Sequence, residues 1–271
     1  MTDYQACADL VRTITLQIAA TRPTSAQDAS IPHLIKQVTD TSASAKEQLR
    51  RALQAKYPDV GWNDEEERPG QAVKPYWVYD PIDGAYHYLQ GLPLWSSSLA
   101  LVSDGETLFS SVFDPALDEL FVAVANEGAT LNGRPIRVSP KAELPAAVVG
   151  TAVAPRIQVG PEAQEAAIRL FGALAREVFV MRPMAATSLQ LAYVAAGRLD
   201  AYLETGDDAA DWLAGALLIR EAGGTVTDLR NERFGWSGDG VLGTNAKLHR
   251  ALVAMIARAT AAEGDAATSA A

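Results

Sequence analysis

The repeating pattern of the sequence changes near Pro145, and this change limits the folds that the chain can adopt. Before it, short apolar runs between residues 96 and 139 are separated by turn-forming pairs such as Asn132-Gly133. This pattern predicts an antiparallel meander. After it, strand-like and helix-like segments alternate, from AAVVGTAV through PEAQEAAIRLFGALARE to TVTD. We therefore expect a chain that combines α and β structure.

Helical periodicity is clearest near the two ends of the sequence. Apolar residues recur at helical spacing from Tyr4 to Ala20, from Ser44 to Lys56, and again from about Ala246 to Ala261. The segment TRPTSAQDASIPHLIKQ, between the first two helices, is rich in turn formers and has weak periodicity. The sequence therefore gives no prediction of the secondary structure of this segment.

The second half contains further elements with clear ends. The run SLQLAYVAAG predicts a helix closed by Gly197, and DWLAGALLIREAG predicts a helix closed by Gly223 or Gly224. LDAYLET between them predicts a strand. We expect one unit over residues 1–271, with an approximate division into 1–145 and 146–262. The small-residue tail, 263–271, is expected to be disordered.

Composition narrows the classes of function. The 271 residues are 48% hydrophobic and carry a net charge of −10, which argues against a binder of nucleic-acid polymers because phosphate backbones are held mainly by clustered Lys and Arg. An anionic substrate would need local cations, and bound divalent metal would supply them.

Cellular location is constrained by cysteine content and by the start of the sequence. Cys7 is the only cysteine, so the chain has no internal disulfide, and a reducing cytoplasm fits. The first twenty residues predict an amphipathic helix rather than a signal peptide. No apolar run approaches the roughly 18 residues of a membrane span, so we expect a soluble protein that does not enter the membrane.

Acidic side chains follow a strand-like run in the first half. The segment Pro75–Tyr79 is aromatic and β-branched, which predicts a buried strand that ends at Asp80. Asp80 and Asp83 flank a Pro-Ile turn, and two like charges held close together need either protonation or a cation. Mg²⁺ prefers such oxygen ligands. The alternative, a turn in which Asp80 caps the next segment, stays open.

Two further acidic features stand out. The cluster 64–67 is acidic throughout, and a run of this kind is most often a solvated surface. Asp211 stands at the start of a helix-like run.

These motifs together resemble those of a known family. WVYDPIDG, residues 77–84, resembles the metal-binding motif of the inositol monophosphatase family, and residues 211–224 resemble its second signature. Order and spacing agree from residues 57–59, through 132–136, to 243–245. The resemblance therefore covers nearly the whole chain.

The resemblance implies a fold and an activity. The fold would be a layered α/β/α/β/α sandwich of the inositol monophosphatase and fructose-1,6-bisphosphatase type. The activity would be Mg²⁺-dependent hydrolysis of a small phosphate monoester, an inositol phosphate or a related sugar or nucleotide phosphate, with two metals activating water. The resemblance also implies a homodimer.

The resemblance assigns roles to particular residues. Glu65, Asp80 and Asp83 would form the catalytic carboxylate set. Gly84 and Ala85 would present backbone N–H groups to the phosphate. Glu204 would contact substrate hydroxyl groups, although an exposed acid at the end of a strand is an equal alternative. The metal ligands would be Glu65, Asp80, the carbonyl of Ile82, Asp83 and Asp211, and Asp211 would also lie at the substrate.

The sequence departs from the family pattern at several positions. Ala85 stands where the family has a Thr whose hydroxyl orients the attacking water, and its loss could cost on the order of a hundredfold in rate. His87 is a less favoured substitute for this group. Ser42 replaces an Asp that supports an additional metal, so a third Mg²⁺ is in doubt, although Asp40 would compensate in another register. Residues 185–188 replace a Gly-led turn near the substrate.

Three functions follow from these observations. The first is an active Mg²⁺-dependent phosphatase. The second is a family member that binds metal and phosphate, or a protein partner, without efficient catalysis, because Ala85 lacks the hydroxyl. The third is a structural α/β protein whose carboxylates are only caps.

Overall fold

The computed structural model describes residues 2–22, 30–63 and 74–269, without the side chains of residues 31 and 261–269. Helix α1 (Tyr4–Ala20) has the predicted bounds and is capped by the Asp3 side chain, which accepts a hydrogen bond from the Ala6 amide. Helix α2 (Ile31–Lys56) begins thirteen residues before the predicted start at Ser44. It includes part of the segment left open, because Pro32 suits the first turn of a helix.

The first half forms a seven-stranded sheet, called the first sheet. Its strand order follows the chain, and every neighbouring pair is antiparallel except the first pair, which is parallel. The predicted meander is therefore confirmed. Its strands are β1 (Gly61–Asn63), β2 (Tyr76–Asp83), β3 (Ser96–Ser103), β4 (Glu106–Asp114), β5 (Glu119–Val124), β6 (Gly128–Leu131) and β7 (Arg134–Pro135), with the short helix α3 (Ala85–Leu89) after β2.

Strand β2 does not end at Asp80, as the sequence predicts, but continues to Asp83. Its register against β3 shifts on the way, because Asp80 faces Ser98 whereas Asp83 faces Ser96. Three steps along β2 thus match two along β3, which is a β-bulge. The bulge contains Pro81, which has no N–H to give to the ladder. It changes the direction of the side chains between the two aspartates.

The second half forms a five-stranded sheet, called the second sheet, with connecting helices. The strand order is β11-β12-β10-β8-β9, with β8 parallel to both β9 and β10, and β12 antiparallel to both of its neighbours. The predicted alternation is confirmed. After a 3₁₀ turn at Leu144–Ala146 come β8 (Val148–Thr151), α4 (Arg156–Ala175), β9 (Val180–Pro183), α5 (Thr187–Ala195), β10 (Ala201–Thr205), α6 (Ala209–Glu221), β11 (Thr225–Thr227), β12 (Gly240–Thr244) and α7 (Ala246–Ser269).

The end of the chain differs from the prediction. Helix α7 continues to Ser269, so most of the segment that we expected to be disordered has a helical backbone. The segment 261–269 is rich in Ala, which has the highest helix propensity of the natural residues. Among the helices of the described ranges, none has both the length and the apolar character that a membrane span requires.

Three buried clusters show how the layers are stacked. One cluster joins α1 and α2 to one face of the first sheet, and a second joins the opposite face of that sheet to α5 and α6. The second cluster also includes residues of the second sheet, whose other face packs against α4 and α7. The order is therefore helices, sheet, helices, sheet, helices, and the middle helix layer α5/α6 packs against both sheets. The division at residue 145 remains a prediction.

Packing inside the middle layer generates a testable expectation. A Cβ added to Gly215 of α6 would lie 2.2 Å from the Cβ of Leu191 of α5. Gly215→Ala should therefore force α5 and α6 apart and lower the free energy of unfolding by about 1–3 kcal/mol, measured by urea denaturation followed by circular dichroism.

Gly172→Ala in α4 is the matched control. Its added Cβ would meet only the end of the Arg176 side chain, at 4.0 Å. This substitution should stabilise the protein by about 0.4–1 kcal/mol, because Ala restricts the unfolded chain and favours a helix. Equal effects of the two substitutions would contradict the close helix contact.

Candidate metal and phosphate site

Asp83 is a buried carboxylate that links the first sheet to the middle helix layer. It lies at the end of β2 with only 6% of its surface exposed. Its Oδ1 accepts a hydrogen bond from the Thr187 amide at 3.1 Å, and its Oδ2 accepts one from the Ser188 amide at 2.7 Å and a short one from the Ser188 hydroxyl. Burial raises the pKa of Asp83, while these hydrogen bonds oppose that shift.

The two oxygens of Asp83 are used unequally. Oδ2 also lies 3.5 Å from the Ser96 hydroxyl, whereas Oδ1 accepts one hydrogen bond from the described residues. A carboxylate oxygen has two lone pairs. Oδ1 therefore keeps an acceptor position for a cation.

Asp80 and Ile82 lie near the end of β2, and Asp211 lies at the start of α6. Asp80 is half-buried beside the bulge, and its Oδ1 accepts a hydrogen bond from the Ile82 amide at 3.0 Å. This local bond is the capping turn that was one alternative for Asp80, and it leaves the metal alternative open. Asp211 is half-buried in the first turn of α6, where the helix dipole favours a negative charge.

The carboxylate and carbonyl oxygens of these residues suit a hard divalent cation. However, the structure describes only part of the predicted ligand set. Carboxylates and a carbonyl are the ligands that Mg²⁺ accepts. Glu65, with the whole acidic cluster 64–67, lies outside the described residues. Within the described ranges, no group of three Asp, Glu, His or Cys side chains is arranged to hold a metal ion. The ligand roles of Glu65, Asp80, Ile82, Asp83 and Asp211 stay predictions.

Gly84 and Ala85 follow Asp83 at a tight turn. Gly84 has φ 88° and ψ 38°, the left-handed conformation that favours glycine. A Cβ there would lie 3.0 Å from the Leu94 carbonyl oxygen and 3.1 Å from the Cβ of Ala186. Ala85 begins α3, and its methyl group packs against the buried cluster beneath α1 and α2. Their contact with phosphate stays a prediction.

The turn at residues 185–188 has an unusual conformation. Ala186 has φ 64° and ψ 76°, which places a residue with a Cβ in the left-handed region. It is buried, and α5 begins at the next residue. The turn therefore keeps a glycine-like conformation although the sequence has no glycine here.

Glu204 is not the exposed acid that was one alternative for it. It is half-buried on β10, and its Oε2 lies 2.5 Å from the Tyr202 hydroxyl, 3.1 Å from the Thr187 hydroxyl and 3.0 Å from the Trp212 Nε1. Burial raises the pKa of Glu204, and the three donors oppose that shift. The predicted contact with substrate hydroxyl groups stays a prediction.

The structure brings Asp83, Gly84 and Glu204 together around the start of α5. Asp211 precedes Trp212, whose indole reaches Glu204. Trp212 is buried within α6, and it is also a hydrogen-bond donor.

The sequence did not predict that Thr187 and Ser188 donate hydrogen bonds to Asp83, or that Tyr202 donates one to Glu204. Tyr202 and Glu204 are two residues apart on one strand, so they share a face. That spacing is the signal that could have linked Tyr202 to Glu204.

His87 is the candidate substitute for the Thr hydroxyl missing at position 85, and Asp40 is the candidate substitute for the Asp missing at position 42. The two side chains have different surroundings. The Nδ1 atom of His87 is buried and has no hydrogen-bond partner among the described residues, and burial lowers the pKa of this imidazole. Asp40 lies on α2 and forms an ion pair with Lys36 at 2.6 Å on an exposed surface.

Comparisons with known proteins agree with this architecture. A family model described as the inositol monophosphatase family matches residues 2–262. An inositol-1-monophosphatase of Rhizobium meliloti is 39% identical over 193 residues, which are 70% of this chain and 71% of that protein. A Xylella fastidiosa protein named Nus factor SuhB is 38% identical over 192 residues, 71% of this chain and 69% of that protein.

A solved structure supports the fold as well. An IMPase of Thermotoga maritima covers 96% of this chain and 98% of its own, with a TM-score of 0.80 and 24% identity. The predicted layered α/β/α/β/α fold is confirmed.

The surroundings of Asp83 generate a prediction about buried serines. Ser188→Ala removes a hydroxyl that donates to a buried carboxylate. It should lower the free energy of unfolding by about 1.5–3 kcal/mol, measured by chemical denaturation.

Ser110→Ala is the matched control. Ser110 is fully buried like Ser188, but its hydroxyl has no hydrogen-bond partner in the described part of the chain. Its removal should change stability by less than about 0.5 kcal/mol or increase it. The assignment of Ser188 fails if both variants lose the same stability.

Proposed function

Because the chain belongs to the inositol monophosphatase family, we propose that it hydrolyses a small phosphate monoester with Mg²⁺. One observation carries this proposal, namely the environment of Asp83. This carboxylate is buried and accepts hydrogen bonds from two amides and two hydroxyl groups, yet only one of them reaches Oδ1, which keeps an acceptor position beside the left-handed turn at Gly84. Such an arrangement suits a cation next to a bound anion.

The proposed metal ligands are carboxylates and one backbone carbonyl. Mg²⁺ would neutralise the phosphoryl oxygens, lower the pKa of a bound water and stabilise the leaving alkoxide, and two ions are proposed. The residues proposed to hold it are Glu65, Asp80, Ile82, Asp83 and Asp211.

Backbone groups at the start of α3 are proposed to bind the phosphate. The amides of Gly84 and Ala85 would donate to phosphate oxygens, because the first amides of a helix have no partner within it. The absent Cβ of Gly84 leaves room for the neighbouring turn, because the Cβ of Ala186 lies 3.1 Å from the position that it would take. Neither contact needs the side chain of residue 85.

The preferred substrate is an inositol phosphate, and a sugar or nucleotide phosphate is the next choice. A relative at 39% identity carries the name inositol-1-monophosphatase. The net charge of −10 still argues against nucleic-acid polymers as substrates. A cytoplasmic homodimer is proposed from the resemblance.

A second candidate function is binding without efficient turnover. Two observations favour it: Ala85 lacks the hydroxyl that the family uses to orient water, and a relative at 38% identity is named Nus factor SuhB. In this case the chain would bind metal and phosphate, or a protein partner.

Phosphate release tests the first candidate directly. The protein should release phosphate from inositol 1-phosphate only when Mg²⁺ is present, and a panel with fructose 1,6-bisphosphate and adenosine 3′,5′-bisphosphate should reveal the preferred substrate. Calorimetry should show Mg²⁺ binding to the same preparation. Bound metal without turnover on the whole panel would favour the second candidate.

Residue 85 separates the two candidates further. Ala85→Thr restores the hydroxyl and should raise kcat by up to about a hundredfold if water positioning limits the rate. Ala85→Val is the matched control, because Val has nearly the shape of Thr without the hydroxyl. A high initial rate that neither substitution changes would show that this chain positions water by other groups.

A further inference from the structure

Ser96 and Ser188 form a pair of buried hydroxyl groups next to Asp83. Both side chains are fully buried, and their Oγ atoms lie 3.1 Å apart. Ser96 is the first residue of β3 and lies directly opposite Asp83 in the sheet register, whereas Ser188 is the second residue of α5. The pair therefore lies where β2, β3 and the middle helix layer meet.

Burial alone does not give a serine of this chain a hydrogen bond. Ser110 and Ser111 of β4 are also fully buried, and their hydroxyl groups have no hydrogen-bond partner among the described residues. In contrast, the hydroxyl groups of Ser96 and Ser188 contact each other and the Oδ2 atom of Asp83. These contacts are therefore a specific feature of the surroundings of Asp83.

The direction of the hydrogen bonds follows when Asp83 binds a cation. A carboxylate that binds a metal is deprotonated and can only accept hydrogen bonds. The Ser188 hydroxyl must then donate to Oδ2, which also accepts the Ser188 amide at 2.7 Å. These two donors use the two lone pairs of that oxygen. The Ser96 hydroxyl, 3.5 Å from Oδ2 and 3.1 Å from Ser188 Oγ, therefore donates to Ser188.

The result is a chain of hydrogen bonds from Ser96 through Ser188 to Asp83. Hydrogen bonds in such a chain polarise one another, so the Ser96 hydroxyl strengthens the bond from Ser188 to the carboxylate. The chain ends on Oδ2, whereas Oδ1 accepts only the Thr187 amide among the described residues, at 3.1 Å. Holding Oδ2 in place also fixes the rotation of the carboxylate group, and hence the direction of the acceptor position on Oδ1.

We propose that Ser96 and Ser188 are positioning residues for the metal site, because they hold Asp83 with its Oδ1 atom directed toward the cation. Neither hydroxyl would contact the metal or the substrate. Groups that orient a metal ligand through hydrogen bonds commonly set the affinity of the site. The inference rests on the proposed Mg²⁺-dependent function, and it assigns part of the Mg²⁺ affinity to two uncharged side chains.

Calorimetric titration of the full chain with Mg²⁺ tests the inference. Ser188→Ala should raise the dissociation constant of Mg²⁺ by about tenfold, which is the lower end of effects from residues that orient metal ligands. Ser96→Ala should raise it by a smaller factor, because the direct bond from Ser188 to Asp83 remains. Ser111→Ala is the matched control, since it removes a fully buried hydroxyl of the first sheet that has no partner in the described part of the chain. It should leave the dissociation constant unchanged.

The double variant tests the direction of the chain. If Ser96 acts through Ser188, its hydroxyl has no further effect once Ser188 is replaced. Ser96→Ala combined with Ser188→Ala should therefore bind Mg²⁺ as tightly as Ser188→Ala alone, within about twofold. A combined effect equal to the product of the two single effects would show that Ser96 acts on Asp83 independently, and it would overturn the proposed chain.

A loss of folded protein has a different signature. Circular dichroism should first show that each variant is folded, and a smaller folded fraction would lower the number of Mg²⁺ ions bound per chain without changing the affinity of the folded molecules. The inference fails if folded Ser188→Ala binds Mg²⁺ as tightly as the original protein. If Ser188→Ala does not fold, Ser96→Ala decides the question, and an unchanged affinity in that variant overturns the inference.

Phosphate release from inositol 1-phosphate separates this inference from the proposed function. Weaker Mg²⁺ binding by the variants of a protein that has no turnover would reject the phosphatase and support the positioning role. Turnover whose Mg²⁺ requirement is the same in Ser188→Ala would support the phosphatase and overturn the positioning role. An original protein that binds no Mg²⁺ would overturn both.

Discussion

The hydrogen bonds from the start of α5 to Asp83 are the interaction on which the arrangement of the site depends. An ionised carboxylate with 6% exposure is costly unless donors replace water. The amides of Thr187 and Ser188 provide that replacement, and they belong to a helix that packs between the two sheets. The same contacts therefore stabilise the carboxylate and fix the register of the middle layer against the first sheet.

The close approach of two turns makes those hydrogen bonds possible. Gly84 has no Cβ, and the space that one would need is bordered by the Cβ of Ala186 at 3.1 Å. Both residues have positive φ, so two left-handed turns lie against each other. Family members with a Gly-led turn at 185–188 would avoid the backbone cost there. In this chain, Ala186 has that cost but adds a buried methyl group.

The sequence predicted the order of elements better than the contacts between them. Periodicity gave the bounds of α1 and the alternation after Pro145, because both depend on neighbouring residues. It missed the bulge between Asp80 and Asp83, since the register of a strand depends on its partner. The residues of the candidate site came from motifs, but the bonds to Asp83 span more than a hundred positions. Nothing local to Thr187 or Ser188 indicates them.

The surroundings of Ala85 show why the binding of metal and phosphate and the orientation of the attacking water would depend on different groups. The proposed phosphate contact uses backbone amides at the start of α3, which any residue except proline would provide. The proposed metal site uses carboxylates on β2 and α6. The Ala85 methyl, in contrast, packs against the buried cluster beneath α1 and α2, so the side chain contributes to the core and offers no polar group to the site. Loss of the hydroxyl thus leaves the proposed metal ligands and the proposed phosphate contacts unchanged, and it removes only the group that would orient water.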